Sequence, residues 1–244
     1  MLVFYQPIVD LASRTTVRAE ALCRFPDTAG AGKAPDNFIQ HAEQQGLVKG
    51  LTDWVLATTL GFWRRLGPAA PPELAINLSP LNLQEVDLAE RVFGALAKSG
   101  IESSRLWIEI DERLLSAHDA VSRSNVHKLV DAGIHISVDG FGPSLSPVSH
   151  LQLSGLRLEE LKIERTLFVG LENDAEKRAK LKTIADVAAE SGLELAAKGI
   201  EDEAVLEWLH RLGFARMQGY LIAPPMSEAD FTAWLARERA STAA

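Results

Sequence analysis

The chain has 244 residues, 47% of them hydrophobic and 24% charged, which is enough apolar material for a sizeable globular core. A formal net charge of -8 argues against nonspecific grip on DNA, RNA or an anionic membrane, so an anionic ligand has to be held by placed groups. With Cys23 as the single cysteine no intramolecular disulfide is possible, a reducing cytoplasmic setting is the simpler expectation, and no apolar run reaches the roughly 18 residues of a spanning helix.

In chain order, Leu2–Val9 and Val17–Phe25 read as two strands joined by a short polar turn, and so as a hairpin. Alternation along the second puts Arg18, Glu20, Leu22 and Arg24 on one face and Val17, Ala19, Ala21 and Cys23 on the other, which predicts a polar environment for the charged face. Pro26–Lys33 is broken by Gly, Ala and Pro and reads as a loop. Helical patterns cover Pro35–Gln45 and Thr52–Leu66.

A repeat follows. Gly67, Gly100 and Gly133 lie 33 residues apart, each where a helical pattern stops, and each precedes a strand-like run: Glu73–Asn77, Arg105–Asp111 and His135–Asp139. Gly192 and Gly213 repeat the arrangement before Leu193–Ala197 and Arg216–Ile222. Helix followed by strand, repeated through the chain, predicts a parallel α/β architecture of barrel type, one domain over residues 1–244. Ankyrin repeats share the spacing but lack apolar strands. Trp54, Trp63 and Trp208 fall in helical patterns and read as packing, the scattered histidines as surface or capping groups, and Glu172–Lys182 as a solvated helix face.

Chemistry in such barrels sits at the C-terminal ends of the strands. Polar residues recur there: Asn77, Glu109, Asp111, Asp139, Lys162, Lys198 and Gln218. Three carboxylates with an amide oxygen suit Mg²⁺ or Mn²⁺, whereas no Cys/His cluster suggests zinc. The sequence holds no GxxxxGK[ST], GxSxG or GxGxxG motif. A Schiff-base role for Lys162 is the weaker reading, because a lysine among so many acids is more simply a charge partner.

The chain resembles the EAL domain of cyclic di-GMP phosphodiesterases over nearly its whole length. The markers are YQPIVD from Tyr5, Glu20-Ala21-Leu22 followed by Arg24, INLSP from Ile76, IEIDE from Ile108, VDGFG from Val138, LKIER from Leu161, AKGIE from Ala197 and QGYLIAPP from Gln218. The resemblance implies a modified (β/α)8 barrel with one antiparallel strand, and hydrolysis of cyclic di-GMP to pGpG by two divalent cations. It also implies that Glu20, Asn77, Glu109 and Asp139 hold the first metal. By the same resemblance Lys162 steadies the attacking water or phosphate, Gln218 lies near the second metal, Gln6, Leu22 and Arg24 contact the dinucleotide, Glu112 anchors a loop and Glu201 backs the site.

Two positions depart from the family pattern. Active members carry a second aspartate where this chain has Gly140, and a glutamate where it has Lys198. Both changes fall on the second metal and make its surroundings about three charges more positive, so its affinity is expected to fall about 100-fold or more and hydrolysis to fail with it. Lys198 is then expected to take the cation's place and meet a phosphate directly. The loop Phe141–Ser149 also departs, with Pro143 and Pro147 stiffening it.

Three functions follow: a catalytically silent cyclic di-GMP receptor that signals to a protein partner, a weak or single-metal phosphodiesterase, and a protein-interaction scaffold without nucleotide. A homodimer is compatible with each.

Overall fold

The computed structural model of the protein describes residues 1–26, 32–33, 38–112, 119–141 and 156–242. Its strands are β1 (Leu2–Asp10), β2 (Thr16–Pro26), β3 (Gly32–Lys33), β4 (Glu73–Leu78), β5 (Leu106–Asp111), β6 (His135–Phe141), β7 (Glu160–Ile163), β8 (Glu194–Ala197) and β9 (Arg216–Met217). Pairing runs β1-β9-β8-β7-β6-β5-β4-β2, and β1 also pairs with β2, so eight strands close into a barrel. β1 is antiparallel to both its neighbours, while the pairs from β2 through β4 to β9 are parallel, as the opening hairpin and the helix-strand repeat predict.

The helices that jacket the barrel include α1 (Phe38–Gln44), α2 (Val48–Leu66), α3 (Pro80–Leu83), α4 (Leu88–Ser99), α5 (Ala120–Asp131), α6 (Ala175–Glu190), α7 (Leu206–Arg211) and α8 (Glu228–Thr242). Apolar side chains on the outer strand faces, such as Ala19, Ala21, Ile76, Ile108, Val138 and Leu161, pack with Leu56, Leu60, Leu129 and Ile184 of the helices in one core. The glycines closing the helical patterns have positive φ, and Gly100 takes the left-handed conformation at φ 70°, ψ 20°.

Some sequence expectations need correction. α2 begins at Val48, before the predicted Thr52. Gly32–Lys33, read as loop, forms a two-residue strand because the backbone ladder of β2 continues through Phe25 and Pro26. The predicted strand Arg216–Ile222 stops at Met217, since Gly219 lies so close to Ile200 that a Cβ there would stand 2.1 Å from its carbonyl oxygen, and the chain turns back with Ile222 and Ala223 donating to Gly219. Trp54 lies off the buried stripe of α2 and is exposed, whereas Trp63 on that stripe is buried. His135 is half-buried, stacked on Trp107 at 4.6 Å between ring centroids, with its ring nitrogens 2.5 Å from Glu159 and 3.0 Å from the Ser104 carbonyl. The loop at 142–149 lies outside the described residues.

Inside the barrel the chain is polar. β2 and β7 stand on opposite sides, and each sends one long cation across to the other: Arg18 donates to Glu160 at 2.8 Å, and Lys162 donates to Glu20 at 2.9 Å. Arg18 also reaches Glu73 at 2.9 Å and lies 3.5 Å over the Trp107 ring, while Ser137 donates to Glu160 at 2.9 Å. Arg18 and Glu160 are both fully buried, and their charges are compensated by each other, by Glu73 and Ser137, and by Arg216 at 3.7 Å from Glu160. Arg18→Met takes from buried Glu160 the nearer of its two cations, leaving Arg216 at 3.7 Å, and is expected to lower unfolding stability by about 3–5 kcal/mol in urea titrations; a loss below about 1 kcal/mol would show that the pair does not brace the barrel.

Candidate functional site

The C-terminal end of the barrel gathers one polar side chain from almost every strand. Glu20 on β2, Glu109 on β5, Asp139 on β6 and Lys162 on β7 point inward by the same alternation that turns their neighbours outward to the helices. Asn77 stands on β4, Gln6 on β1, and Lys198 and Gln218 directly follow β8 and β9.

Lys162 is the hub. Its ammonium, 1% exposed, donates to Glu20 Oε2 at 2.9 Å and to both oxygens of Glu109 at 2.6 and 2.7 Å. Glu20 collects two more donors, Asn77 Nδ2 at 2.7 Å on Oε1 and Gln218 Nε2 at 2.9 Å on Oε2. Gln218 also donates to Gln6 Oε1 at 3.2 Å, and Gln6 in turn donates to the Ala223 carbonyl at 3.0 Å. The outermost contact is Lys198, whose ammonium lies 2.8 Å from both oxygens of Asp139.

This geometry splits the buried acids. Burial works against the Glu20 charge, but Lys162, Lys198 and the Asn77 and Gln218 donors outweigh it and hold the carboxyl at about 2. Glu109, with fewer donors, is pushed up to about 8 by burial and by the Glu20 charge, against the pull of Lys162. The Lys162 and Lys198 ammoniums lose water on burial, yet their acid partners raise both above the ordinary amine value.

Above the cluster opens a cavity of about 460 Å³, within the usual range for small-molecule sites, lined by Glu20, Leu22, Arg24, Asn77, Asp139 and Lys198 and flanked by apolar Val48, Leu51 and Val55 of α2. Gly140 also lines it at φ 76°, with the position of a Cβ 3.5 Å from Glu164 Oε1. The structure thus brings together Glu20, Asn77, Glu109, Asp139, Lys162, Lys198, Gln6 and Gln218, with Leu22 and Arg24 at the rim.

Lys162 is sealed between two acids, which is the charge-partner arrangement also read from the sequence, and Gln218 donates to Glu20. Glu201 forms an ion pair with Arg165 at 2.7 Å. Glu112 follows β5, but the loop it is expected to anchor lies outside the described residues. Missed altogether was the second brace, although its signal was present: Arg18-x-Glu20 and Glu160-x-Lys162 are two oppositely charged pairs at strand spacing.

The oxygen-rich set implied for Mg²⁺ or Mn²⁺ does not fit a metal pair in this arrangement. Both oxygens of Glu20, Glu109 and Asp139 accept from ammonium or amide donors, and Asn77 turns its nitrogen to Glu20. Among the described residues no group of three or more His, Cys, Asp or Glu is placed to hold a metal ion. Two cations, Arg24 and Lys198, stand among the residues that line the cavity.

A family model described as the EAL domain matches residues 1–225. The chain belongs to the EAL-domain family. Among curated relatives of this EAL domain, MucR of Pseudomonas aeruginosa, a bifunctional diguanylate cyclase/cyclic di-GMP phosphodiesterase, is 31% identical over 93% of this chain and 33% of its own length. PdeB of Escherichia coli, a probable cyclic di-GMP phosphodiesterase, is 31% identical over 95% of this chain and 44% of its own. The chain spans about a third of the length of curated relatives it matches, 34%, 27% and 29% for three of them. Among solved structures, the MucR phosphodiesterase in complex with c-di-GMP superposes at TM-score 0.83 and 29% identity over 94% of this chain and 93% of that one. The FimX EAL domain from P. aeruginosa bound to c-di-GMP, at TM-score 0.81 and 22% identity over 92% and 90%, shares the fold. Among the described residues no helix is long and apolar enough to cross a membrane.

Two outcomes test the cluster. From the ordinary carboxyl value of 4.5 up to about 8, the folded chain keeps a proton on Glu109 that the unfolded chain has lost, so its contribution to stability falls as pH rises through that window. Glu20 acts in the opposite sense, its contribution being lost as pH falls from 4.5 toward 2. Urea unfolding between pH 5 and 8 is expected to show a decline of up to about 1.4 kcal/mol per pH unit that Glu109→Gln flattens; identical slopes would refute the assignment. Lys162→Met leaves two acids facing each other and is expected to cost about 3–5 kcal/mol at pH 8 and less at pH 5, where Glu109 holds its proton.

Proposed function

We propose that this EAL domain binds cyclic di-GMP and does not hydrolyse it, acting as a receptor whose occupancy is read by a protein partner or by attached domains. The observation that carries the reading is the pairing of Lys198 with Asp139 at the cavity mouth, beside Gly140. Where hydrolysis would need an activated water and a free carboxylate base, the cluster offers carboxylates already paired with lysines and one glycine.

Binding has what it needs. Arg24 and Lys198 supply cations at the rim for phosphate, Leu22 and the α2 side chains supply apolar wall, and Gln6 and Gln218 fix Glu20 beneath them. The c-di-GMP named with the MucR and FimX structures, and the cyclic di-GMP phosphodiesterase names of MucR and PdeB, support this ligand class.

The test is calorimetric titration with cyclic di-GMP, once in EDTA and once in Mg²⁺ or Mn²⁺, followed by analysis of the cell contents for pGpG. Affinities that agree within about threefold in the two buffers, with no product, are expected. Arg24→Ala is expected to weaken binding at least tenfold, about 1.4 kcal/mol. Appearance of pGpG would instead establish a weak phosphodiesterase, and no heat in either buffer would leave a protein-interaction scaffold.

A further inference from the structure

Lys198 and Lys162 approach the acid cluster from adjacent strands, and their placement differs in a way that bears on what the cluster admits. Lys162 on β7 pairs in register with Ala196 of β8, so Lys198 stands two residues further on and one layer nearer the mouth. Its backbone is fixed there: the Lys198 amide donates to the Ile163 carbonyl at 3.0 Å, and Gly199 turns the chain away at φ 73°. The lower layer belongs to Lys162, which occupies Glu20 and Glu109. Lys198 is left with Asp139, and it meets both carboxylate oxygens at 2.8 Å.

A lone ammonium centred on two carboxylate oxygens takes the lone pairs that a divalent cation would use, and it places a like charge where that cation would sit. Asp139 is also the outermost of the three acids, its side chain 21% exposed against 0% for Glu109, so an ion entering from the mouth meets this pair first.

We infer that Lys198 is a built-in counter-cation that closes the Asp139 end of the cluster, at the cavity mouth, to divalent metal ions, and that removing its charge opens that end to one metal ion. The inference deepens the metal-independent receptor reading, but it concerns the empty domain and needs no nucleotide, so either can fail while the other stands.

The experiment is titration of the whole chain with Mn²⁺ alone, followed by calorimetry and by the loss of the free-ion electron paramagnetic resonance signal. The wild type is expected to show no binding below millimolar Mn²⁺. Lys198→Met, which keeps the stem and drops the charge, is expected to bind one Mn²⁺ about 100-fold more tightly. Lys198→Arg keeps the charge and should behave as wild type, and adding Asp139→Asn to Lys198→Met should abolish the gained site. Circular dichroism confirms that each variant is folded, with Lys198→Gln in reserve should the Met variant not fold. Micromolar Mn²⁺ binding by the wild type, or a folded Lys198→Met or Lys198→Gln chain that gains none, would overturn the inference.

Discussion

Two crossed ion pairs inside the barrel are the constraint on which the rest of the structure depends. β2 carries Arg18 and Glu20, β7 carries Glu160 and Lys162, and each cation reaches the acid on the opposite wall. Burying four charges is costly, and their attraction offsets that cost only while both strands keep their register. A slip of one residue would turn these charges into the apolar jacket and turn Ala19, Ala21 and Leu161 into the polar lumen. The pairs therefore act on specificity of register more than on net stability, and closure of the barrel around them brings the other strand ends into place.

The upper brace also sets the electrostatics of the site. One ammonium shared between Glu20 and Glu109 cannot neutralise both, so the acid with more donors stays ionised and the other holds a proton into the neutral range. Nearer the mouth Lys198 pairs with Asp139. What remains for a ligand is a cavity in which Glu20, Glu109 and Asp139 already accept from lysines and which Arg24 and Lys198 also line. The domain has the architecture of the EAL-domain family, and within the cluster Glu20, Glu109 and Asp139 serve as partners for lysines.

Much of this was legible in the chain. The alternation in Val17–Phe25 separated a charged face from an apolar one, the glycine-punctuated repeat announced helix before strand, and the family's motifs named nearly all the side chains that meet at the mouth. The misses have physical causes. Arg216–Ile222 alternates well enough for a strand, yet Gly219 must pass against the Ile200 backbone, a long-range contact no local pattern contains. Trp54 and Trp63 fall in the same predicted helix, and only the position of α2 on the barrel separates the exposed ring from the buried one.

By itself the sequence determined the order of elements, the polar face of each strand and the identity of the residues at the strand ends, because periodicity and backbone preference are local properties. It also determined that a glycine, Gly140, follows Asp139 and that a lysine, Lys198, follows the run Glu194–Ala197. Only the tertiary structure decided who pairs with whom: that Lys162 is sealed between Glu20 and Glu109, that Gln218 braces Glu20, and that Lys198 turns to Asp139. Those pairings span between 53 and 198 residues of chain and depend on which walls of a closed barrel face each other. Charge attraction acts through space, and the space is set by the closure of the sheet.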